Sequence, residues 1–210
     1  VLFRSGRHGH MCAVRDSSAP IHDGEGHLVG WVVVFHDVSQ IQQMAQQLSW
    51  QASHDPLTGL VNRREFERRL AQLIDAAGAD GRQHALLYMD LDNFKDINDK
   101  FSHQVGDHAL RQIGNILSDS ARGSDLTARI GGDEFVIVFP NTGVAKARML
   151  GERIRQNLNT HDWSALLPGQ KITASMGVAE GMAGDTLDKL LDRADKNLYK
   201  AKEGGRDQIQ

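Results

Sequence analysis

The sequence predicts an α/β (α+β) fold in which a mixed central β-sheet is covered by helices. Segments with apolar residues at three- and four-residue spacing alternate with short runs rich in β-branched and aromatic residues. One of these runs is apolar throughout, and a Gly-Gly pair separates two others. From residue 55 onward the predicted order is helix, strand, helix, hairpin, helix, strand, helix. An N-terminal β-hairpin fragment and a linker helix precede it.

Composition and charge narrow the classes of protein to consider. The 210 residues are 40% hydrophobic and 24% charged, which is enough to bury one good core. The formal net charge of -3 supplies no general basic field, so we expect no nucleic-acid polymer as a partner. Cys12 is the only cysteine, which excludes an internal disulfide and agrees with a reducing compartment.

Targeting and membrane signals are absent from this segment. No apolar run approaches the roughly 18 residues that a membrane-spanning helix requires, so we expect no span here. The sequence begins at Val1 without an initiator Met. We therefore expect an upstream part, which could include a membrane anchor.

Residues 1–38 predict a β-hairpin. Extended runs over 10–16 and 28–35 are joined by a turn-rich segment at 23–26. A two-stranded hairpin is marginal in water, so this piece is expected to belong to something larger. The segments 18–21 and 34–39 resemble the last strands of a PAS sensor domain. We therefore interpret residues 1–38 as the C-terminal fragment of a PAS-like domain.

Residues 39–54 predict a linker helix. Its apolar residues recur at spacings of three and four, with glutamines at most positions between them. The heptad-like seam consists of Val38, Ile41, Ala45, Leu48 and Ala52. The helix either packs on its own domain or pairs with a second copy of the chain, and we expect pairing. A helix in this position could transmit a signal from a sensor to the domain that follows.

The main domain is predicted over residues 55–210. A turn at 55–60 and the predicted N-cap Asn62 introduce an amphipathic helix. The continuous apolar run 85–89 then predicts a strand buried on both faces. It leads directly into Asp90-Leu91-Asp92, and open α/β sheets place ligand sites at such strand ends.

A polar stretch at 93–107 contains Lys95, Asn98, His103 and Asp107. Lysine supplies a counter-charge for phosphate, while Asn with Asp can match the donor and acceptor edge of a purine, above all guanine. The alternative is an exposed helix and loop without a ligand. An amphipathic helix follows.

A hairpin with an acidic tip is predicted next, from strands at 126–130 and 135–139. We expect Gly131 and Gly132 to adopt positive φ and to leave room for a bulky ligand. Asp133 and Glu134 would create a negative site suited to a hard cation. A solvated acidic turn is the alternative.

The remaining elements are a helix over 144–158, a strand over 172–178 and a last helix over 187–201. The last helix ends near Lys202, with Gly204-Gly205 as its stop and Arg206 just beyond.

These motifs, taken together, resemble the GGDEF domain of bacterial diguanylate cyclases. The resemblance covers about three quarters of the sequence, from residue 55 to the end. It rests on Asp55-Pro-Leu-Thr58 with Asn62-Arg63-Arg64, Asp90-Leu-Asp92 with Phe94-Lys95 and Ile97-Asn98-Asp99, His103 with Gly106-Asp107, the segment Arg129 to Phe135, Ser175-Met-Gly177, and Ala194-Asp195 with Leu198 to Lys202. It implies a ferredoxin-like core of the nucleotide cyclase type.

The resemblance also implies roles for individual residues. Asp90, Asp133, Glu134 and the Leu91 carbonyl would bind or lie close to Mg²⁺, or Mn²⁺ in its place, and Asp133 with Glu134 would be catalytic. The implied substrate-binding residues are Lys95, Asn98, His103, Asp107, Gly131, Gly132, Lys202 and Arg206. Among them, Asn98 and Asp107 would read guanine, and Lys95, Lys202 and Arg206 would hold phosphates.

The implied reaction is condensation of two GTP molecules into cyclic di-GMP and two pyrophosphates, catalysed across a homodimer. Because GTP is the substrate, we expect a cytoplasmic location. A catalytically inactive module that binds GTP or cyclic di-GMP as a receptor is the main alternative. A cyclase that makes another cyclic nucleotide is a third, because Asn98 and Asp107 favour guanine without fixing the product.

An inhibitory product site is implied as well. Arg122 and Asp125 fit the family's Arg-x-x-Asp motif, and Arg153 would contribute a second guanidinium. The alternative for Arg122 and Asp125 is a surface salt bridge. Two positions depart from the family's pattern: Ser102 replaces a common Gly, and Asp207 a common Asn. Ser102 would be strained if its position requires positive φ.

Overall fold

The computed structural model describes residues 2–5, 11–80, 83–182 and 184–210. The chain divides into two compact units, Val1–Gln51 and Ala52–Gln210, which we call the N-terminal and C-terminal units. No helix in the described part of the chain is long and apolar enough to cross a membrane.

The N-terminal unit contains a three-stranded antiparallel sheet in the order β1 (Leu2–Ser5), β2 (Met11–His22) and β3 (Leu28–Asp37). The predicted hairpin is present as β2 and β3. Its turn is closed by Asp23, whose Oδ1 accepts the N–H groups of Glu25 at 2.9 Å and His27 at 2.8 Å. The prediction made the first strand too short and missed β1. His10, where that strand was predicted to begin, lies outside the described residues.

The linker helix α1 spans Ser39–Ser53. Asp37 Oδ1 accepts the Ser39 N–H at 2.9 Å, which satisfies one amide at its start. None of its residues is buried, and Ile41 and Leu48 are 64% and 66% exposed. Val38, the first residue of the predicted seam, precedes the helix and is buried, whereas the seam residues Ile41 and Leu48 on the helix are uncovered.

The C-terminal unit alternates helices and short strands. Its elements are β4 (Val61–Asn62), α2 (Arg63–Asp80), β5 (Ala85–Leu91), α3 (Phe94–Phe101), α4 (His103–Ser120), β6 (Leu126–Arg129), β7 (Glu134–Phe139), α5 (Val144–Thr160), β8 (Ala174–Glu180) and α6 (Leu187–Glu203). The start of α2 is capped as predicted, because Asn62 Oδ1 accepts the Glu65 N–H at 3.0 Å.

The sheet of this unit has the strand order β4-β6-β7-β5-β8. β4 runs parallel to β6, while the β6/β7, β7/β5 and β5/β8 pairs are antiparallel. The series β5-α4-β6-β7-α5-β8 is therefore ferredoxin-like, with the later strands on both sides of β5. The mixed sheet predicted from the sequence is confirmed.

The sheet is covered on both faces, as the apolar run at 85–89 in β5 predicts. Leu87 and Met89 contribute to a core with residues of α4 and α5, whereas Leu86 contributes to a second core with residues of α2 and α6. All three side chains are fully buried. Alternation along the strand sends successive side chains to opposite faces, so Asp90 belongs to the face of Leu86.

Candidate active site

The acidic residues predicted from the sequence converge at one end of two central strands. Asp90 at the end of β5 lies directly opposite Glu134 at the start of β7. The Leu91 N–H donates to the Asp133 carbonyl at 3.2 Å, which ties the hairpin loop to β5. The pairing of two strands therefore brings together residues more than forty positions apart in the sequence.

Asp90 is held in a partly buried, negatively charged environment. Burial raises the pKa of this carboxyl, and the negative charges of Asp133 and Glu134 raise it further. Lys202 on α6 opposes these effects through an ion pair, with its Nζ 2.9 Å from Asp90 Oδ2. The pKa of Asp90 remains above its ordinary value.

The loop between β6 and β7 differs from the predicted turn. It comprises residues 130–133, longer than a tight Gly-Gly turn, and neither glycine adopts positive φ. A Cβ at position 131 would collide with the Glu134 carboxylate, so a side chain there would displace this carboxylate from its present position. At Gly132 a Cβ would meet open space, so a side chain there would project into the surroundings of the loop.

Arg129 holds this loop in place. Its Nη2 donates to the Gly132 carbonyl at 2.7 Å, and its Nη1 donates to Asp55 Oδ1 at 3.1 Å. Burial alone would raise the pKa of Asp55, but hydrogen bonds from Thr58 and Arg129 outweigh it and lower the pKa. The turn at 55–60 therefore anchors the acidic hairpin as well as introducing α2.

Tyr88 reaches Glu134 from within the sheet. Its hydroxyl donates to Glu134 Oε1 at 3.3 Å. Burial raises the pKa of Tyr88, and the nearby charges of Glu134 and Asp195 add to the rise, so the phenol keeps its proton. This contact orients the Glu134 carboxylate.

A cavity of about 530 Å³, the α3–α4 cavity, lies on one side of the acidic hairpin. Of the predicted site residues it is lined by Lys95, Asn98, His103, Asp107, Gly132 and Asp133. Phe94 and Leu110 also line it. A Cβ at position 106 would collide with the Asn98 side chain, so Gly106 provides the space in which Asn98 lies.

A second cavity of about 560 Å³, the α6 cavity, lies along the last helix. Glu134 and Lys202 line it together with Asp195 and Tyr199. Asp133 and Glu134 are consecutive, yet they line different cavities. Asp90, Leu91, Gly131 and Arg206 line neither cavity.

The carboxylates suit a hard cation, although their side chains are not arranged as a complete cluster. Within the described ranges, no three His, Cys, Asp or Glu side chains form a metal-binding group. The negative charges of Asp133 and Glu134 lie near Asp90 and add to the rise in its pKa, and all the available donors are oxygen atoms. The donor chemistry therefore fits Mg²⁺ or Mn²⁺, and Asp90, Asp133, Glu134 and the Leu91 carbonyl are the groups that would hold such a cation.

Ser102 separates α3 from α4 and adopts φ 103° and ψ 157°. Its N–H donates to the Asn98 carbonyl at 2.9 Å, and its own carbonyl accepts from Gly106 at 3.1 Å. Ser102 therefore adopts positive φ, which is the condition under which strain was predicted at this position. Its neighbour His103 faces the α3–α4 cavity.

The predicted inhibitory residues fall into two places. Asp125 Oδ2 accepts the backbone N–H of Arg122 at 2.8 Å, and among the described ion pairs none joins the Arg122 guanidinium to Asp125. Both residues line a cavity of about 290 Å³ with Arg69 and Thr127. Arg153 lines a different cavity, but its Nη2 donates to the Ser120 carbonyl at 2.9 Å, close to the Arg122 loop.

Sequence reasoning gave no individual role to Asp55, Tyr88 and Arg129, whose contacts hold the hairpin loop and Glu134, or to the buried Asp92. Asp55, Asp92 and Arg129 belong to motifs noted in the sequence, and their place in these motifs was the only signal that they have a role. Tyr88 was interpreted only as part of a buried apolar run. A tyrosine placed two residues before a strand-end acid was the signal for a polar contact on the same face.

Comparison with known proteins adds independent information. The family model described as "Diguanylate cyclase, GGDEF domain" matches residues 52–208. The chain is 35% identical over 208 residues to the probable diguanylate cyclase DgcE of Escherichia coli K12, covering 97% of this chain and 18% of that protein. It is 39% identical over 161 residues to diguanylate cyclase DgcS of Shewanella oneidensis, covering 77% of this chain and 53% of that protein.

The fold has solved counterparts as well. The coiled coil and GGDEF domain of DgcB from Caulobacter crescentus, in complex with c-di-GMP, superposes with a TM-score of 0.77 at 30% identity. The match covers 82% of this chain and 92% of that one. The chain spans only about a fifth and about half of the lengths of DgcE and DgcS.

Proposed function

The chain belongs to the diguanylate cyclase GGDEF domain family, and from this premise we propose that it condenses two GTP molecules into cyclic di-GMP and two pyrophosphates. One observation carries the proposal: Asp133 and Glu134 lie between a cavity lined by Asn98 and Asp107 and a cavity lined by Lys202. A nucleotide with its base in the first cavity would bring its phosphates toward the second.

The α3–α4 cavity suits a guanosine. Asn98 offers an amide donor and acceptor, and Asp107 offers an acceptor for the N–H groups of guanine. Phe94 and Leu110 supply apolar surface for the base, while Lys95 supplies positive charge for a phosphate. His103 faces the same cavity and would lie near the nucleotide.

The acidic edge suits the reacting end of the substrate. A divalent cation held by Asp90, Asp133, Glu134 and the Leu91 carbonyl would neutralise triphosphate charge and lower the pKa of the attacking 3′-hydroxyl. Asp133 is the candidate that accepts the proton of that hydroxyl. Lys202 and Arg206 would contact the phosphates, and Lys202 would exchange its present ion pair with Asp90 for one with the triphosphate.

Catalysis across a homodimer follows from the stoichiometry. One C-terminal unit would hold one GTP, whereas the product joins two, so two copies of the chain must face each other. The exposed seam of α1 supports such pairing. We also propose that residues 1–38 are the end of a PAS-like sensor domain, with α1 as the connecting helix.

We further propose that the product inhibits the enzyme at Arg122 and Asp125. The Arg122 side chain lines a cavity together with Asp125 and Arg69. Guanidinium groups bind phosphate bidentately and stack on purines, both of which cyclic di-GMP offers. Arg153, which contacts the end of α4 near this loop, would add a second guanidinium.

A receptor without turnover is the second candidate function. The observation that favours it is the ion pair between Lys202 and Asp90, which occupies a carboxylate that the cation requires. Such a module would bind GTP or cyclic di-GMP and regulate a partner. Both candidates use the same cavities and differ only in turnover.

Incubation of the purified protein with GTP and Mg²⁺, followed by chromatography of the nucleotides, tests the proposal. The parent should form cyclic di-GMP, and Asp133→Asn should form essentially none because the amide cannot serve as the base or as an anionic ligand. Asp119→Asn, an exposed residue of α4, controls for the loss of one negative charge. A different cyclic nucleotide as product, or binding without turnover by a dimeric protein, would contradict the proposal.

A further inference from the structure

Asp92 is a buried carboxylate to which the proposed reaction gives no role. It is 8% exposed and lies two residues beyond Asp90. Its Oδ1 accepts the Ser175 hydroxyl at 2.6 Å, and its Oδ2 accepts the Thr173 hydroxyl at 2.7 Å and the Asp207 backbone N–H at 3.1 Å. A buried carboxylate requires such donors, and here one of them comes from the end of the chain.

The segment after α6 bends sharply to reach Asp92. Arg206 and Asp207 both adopt positive φ, at 64° and 45°, and Gly205 adopts φ 113°. Left-handed backbone at consecutive non-glycine residues persists only where surrounding contacts hold it. The Arg206 N–H donates to the Ala201 carbonyl at 3.0 Å, which holds one side of the bend. The Asp207 N–H donated to Asp92 holds the other side.

The Asp207 side chain holds the same bend from the direction of α5. Its Oδ1 accepts Arg155 Nη1 at 2.7 Å and Asn159 Nδ2 at 2.9 Å. Arg155 is fixed in turn by Glu152, whose Oε1 lies 2.7 Å from Arg155 Nη2. Asp207 stands where the family commonly has Asn, and its negative charge permits an ion pair with Arg155 that an amide would not form.

Residues 208–210 then continue along the edge of the sheet. The Met176 N–H donates to the Gln208 carbonyl at 2.9 Å, and the Gln210 N–H donates to the Met176 carbonyl at 3.0 Å. The Ile209 side chain reaches the surface of α5, where a Cβ at Gly151 would collide with it. The tail thus forms a parallel β-bridge between Ile209 and Met176 of β8.

We propose that Asp92 and the tail, residues 204–210, form one positioning unit that fixes Arg206 and the end of α6 against the acidic end of β5. The inference rests on the proposed function, because it is GTP phosphate that Arg206 and Lys202 would contact. Asp92 is a positioning residue: it touches the Asp207 N–H and acts on the substrate only through the neighbouring Arg206. Asp90 would then help to hold the cation, and Asp92 would hold the phosphate-binding tail. One short segment of the chain would thus serve both.

Two variants of Asp92 separate geometry from charge. Asp92→Ala removes every acceptor and leaves the Asp207 N–H unsatisfied, so the bend that carries Arg206 should loosen. In Asp92→Asn, the amide oxygen can accept from Thr173 and Asp207 while its NH₂ group donates to the Ser175 hydroxyl. We expect Asp92→Ala to raise the KM for GTP about tenfold with a smaller change in kcat, and Asp92→Asn to recover most of this loss.

A variant on α5 loosens the same bend from a distance. Arg155→Ala removes the ion pair to Asp207 and leaves Asp92 unchanged. This variant is less liable to misfold than Asp92→Ala, because Arg155 lies partly at the surface. It should raise the KM for GTP in the same direction as Asp92→Ala. Lys146→Ala, an exposed position of the same helix, is the control and should leave kinetics unchanged.

Hydrogen exchange of the backbone amides distinguishes positioning from a general loss of structure. The proposal expects faster exchange confined to 204–210 and to the adjoining amides of β8, accompanied by the rise in KM. Faster exchange throughout the C-terminal unit, with lower kcat and unchanged KM, would overturn it. An unchanged KM in Arg155→Ala despite faster exchange of the tail would overturn it as well.

A failure of the cyclase proposal can be distinguished from a failure of the positioning unit. If the parent forms no cyclic di-GMP, the cyclase proposal fails, and the dissociation constant for GTP with Mg²⁺ replaces KM as the readout. Weaker GTP binding by Asp92→Ala and Arg155→Ala than by Asp92→Asn would still support the positioning unit. Equal binding by all three variants would overturn it.

Discussion

Ser102 is strained by the sharp junction that it forms between α3 and α4. Its φ of 103° and ψ of 157° fall in a region that suits glycine, where a residue with a Cβ pays about 1–3 kcal/mol. Replacement by Gly removes this strain but loses about 0.5–1 kcal/mol through the greater freedom of the unfolded chain. We expect Ser102→Gly to raise the free energy of unfolding by about 1 kcal/mol and the Tm by about 2–4 °C.

Urea and thermal denaturation of the full chain measure this change. Ser102→Ala is the matched control, because it removes the hydroxyl but keeps the Cβ and hence the strain. Equal stability of the Gly and Ala variants would show that relief of backbone strain does not explain the change in the free energy of unfolding.

Asp90 should make the stability of the protein depend on pH and on divalent cations. Burial, and then the charges of Asp133 and Glu134, raise the pKa of this carboxyl above its unfolded value of about 3.9. Between these two pKa values the folded state binds more protons than the unfolded state. The contribution of Asp90 to the free energy of unfolding therefore decreases as pH rises through this window and is constant above it.

The difference in Tm between the parent and Asp90→Asn, measured over a series of pH values, isolates this contribution from carboxyls such as Asp55, whose pKa is lowered. The parent should lose stability relative to the variant as pH rises through the window. Mg²⁺ should restore stability in the parent above the window and have little effect on the variant. A difference that grows in favour of the parent as pH rises without Mg²⁺ would contradict this account.

At the scale of elements, the linker helix α1 carries apolar side chains of the predicted seam that the described chain leaves exposed. Ile41 and Leu48 are both more than 60% exposed on α1. Because such a seam is stabilised by a second helix, we expect Leu48→Glu to weaken self-association at least tenfold and to lower specific activity at low protein concentration. Sedimentation equilibrium and activity at several protein concentrations measure the two effects.

Gln47→Glu is the control for that experiment, since it adds the same charge to the same helix beside the seam. It should associate like the parent. Equal weakening by the two variants would indicate a general effect of charge, and no weakening by either would show that α1 does not pair through this seam.

The sequence predicted elements best where each one is specified by its own residues. The strands β5, β6 and β7 lie within about two residues of their predicted positions. Their apolar runs are short, continuous and bounded by polar residues. The short strands β1 and β4 and the bridge between the tail and β8 were missed. Each exists only through pairing with a partner elsewhere in the chain, and local composition carries no such information.

In the candidate site, too, features specified by local residues were predicted and contacts between distant residues were not. The acids, the lysine and the polar stretch that line the two cavities were predicted from residue type and motif. The contacts that orient them were not, because they join residues far apart: Arg129 with Asp55, Tyr88 with Glu134, and Asp207 with Asp92. The expectation of positive φ at Gly131 and Gly132 was wrong. Gly131 instead leaves space for the Glu134 carboxylate, a contact that joins residues of the folded loop.

At the scale of the whole molecule, the proposed inhibitory site lies apart from the α3–α4 and α6 cavities, so inhibition and catalysis should be separable by mutation. Arg122 uses its backbone N–H, not its side chain, to hold the Asp125 carboxylate. Arg122→Ala therefore keeps the loop intact and removes only the guanidinium, whereas a change at Asp125 would disturb the loop itself. This makes Arg122→Ala the sharper variant.

We expect the concentration of cyclic di-GMP that halves the initial rate to rise at least tenfold in Arg122→Ala, because a lost guanidinium–phosphate contact is typically worth about 1.5–3 kcal/mol. Arg153→Ala should have a smaller effect in the same direction. Arg111→Ala, an exposed arginine of α4, should remain as sensitive to product as the parent. Initial rates of pyrophosphate release at increasing cyclic di-GMP measure all three. If Arg122→Ala is inhibited at the same concentration as the parent, the product acts elsewhere, and competition with GTP in the α3–α4 cavity becomes the explanation to test.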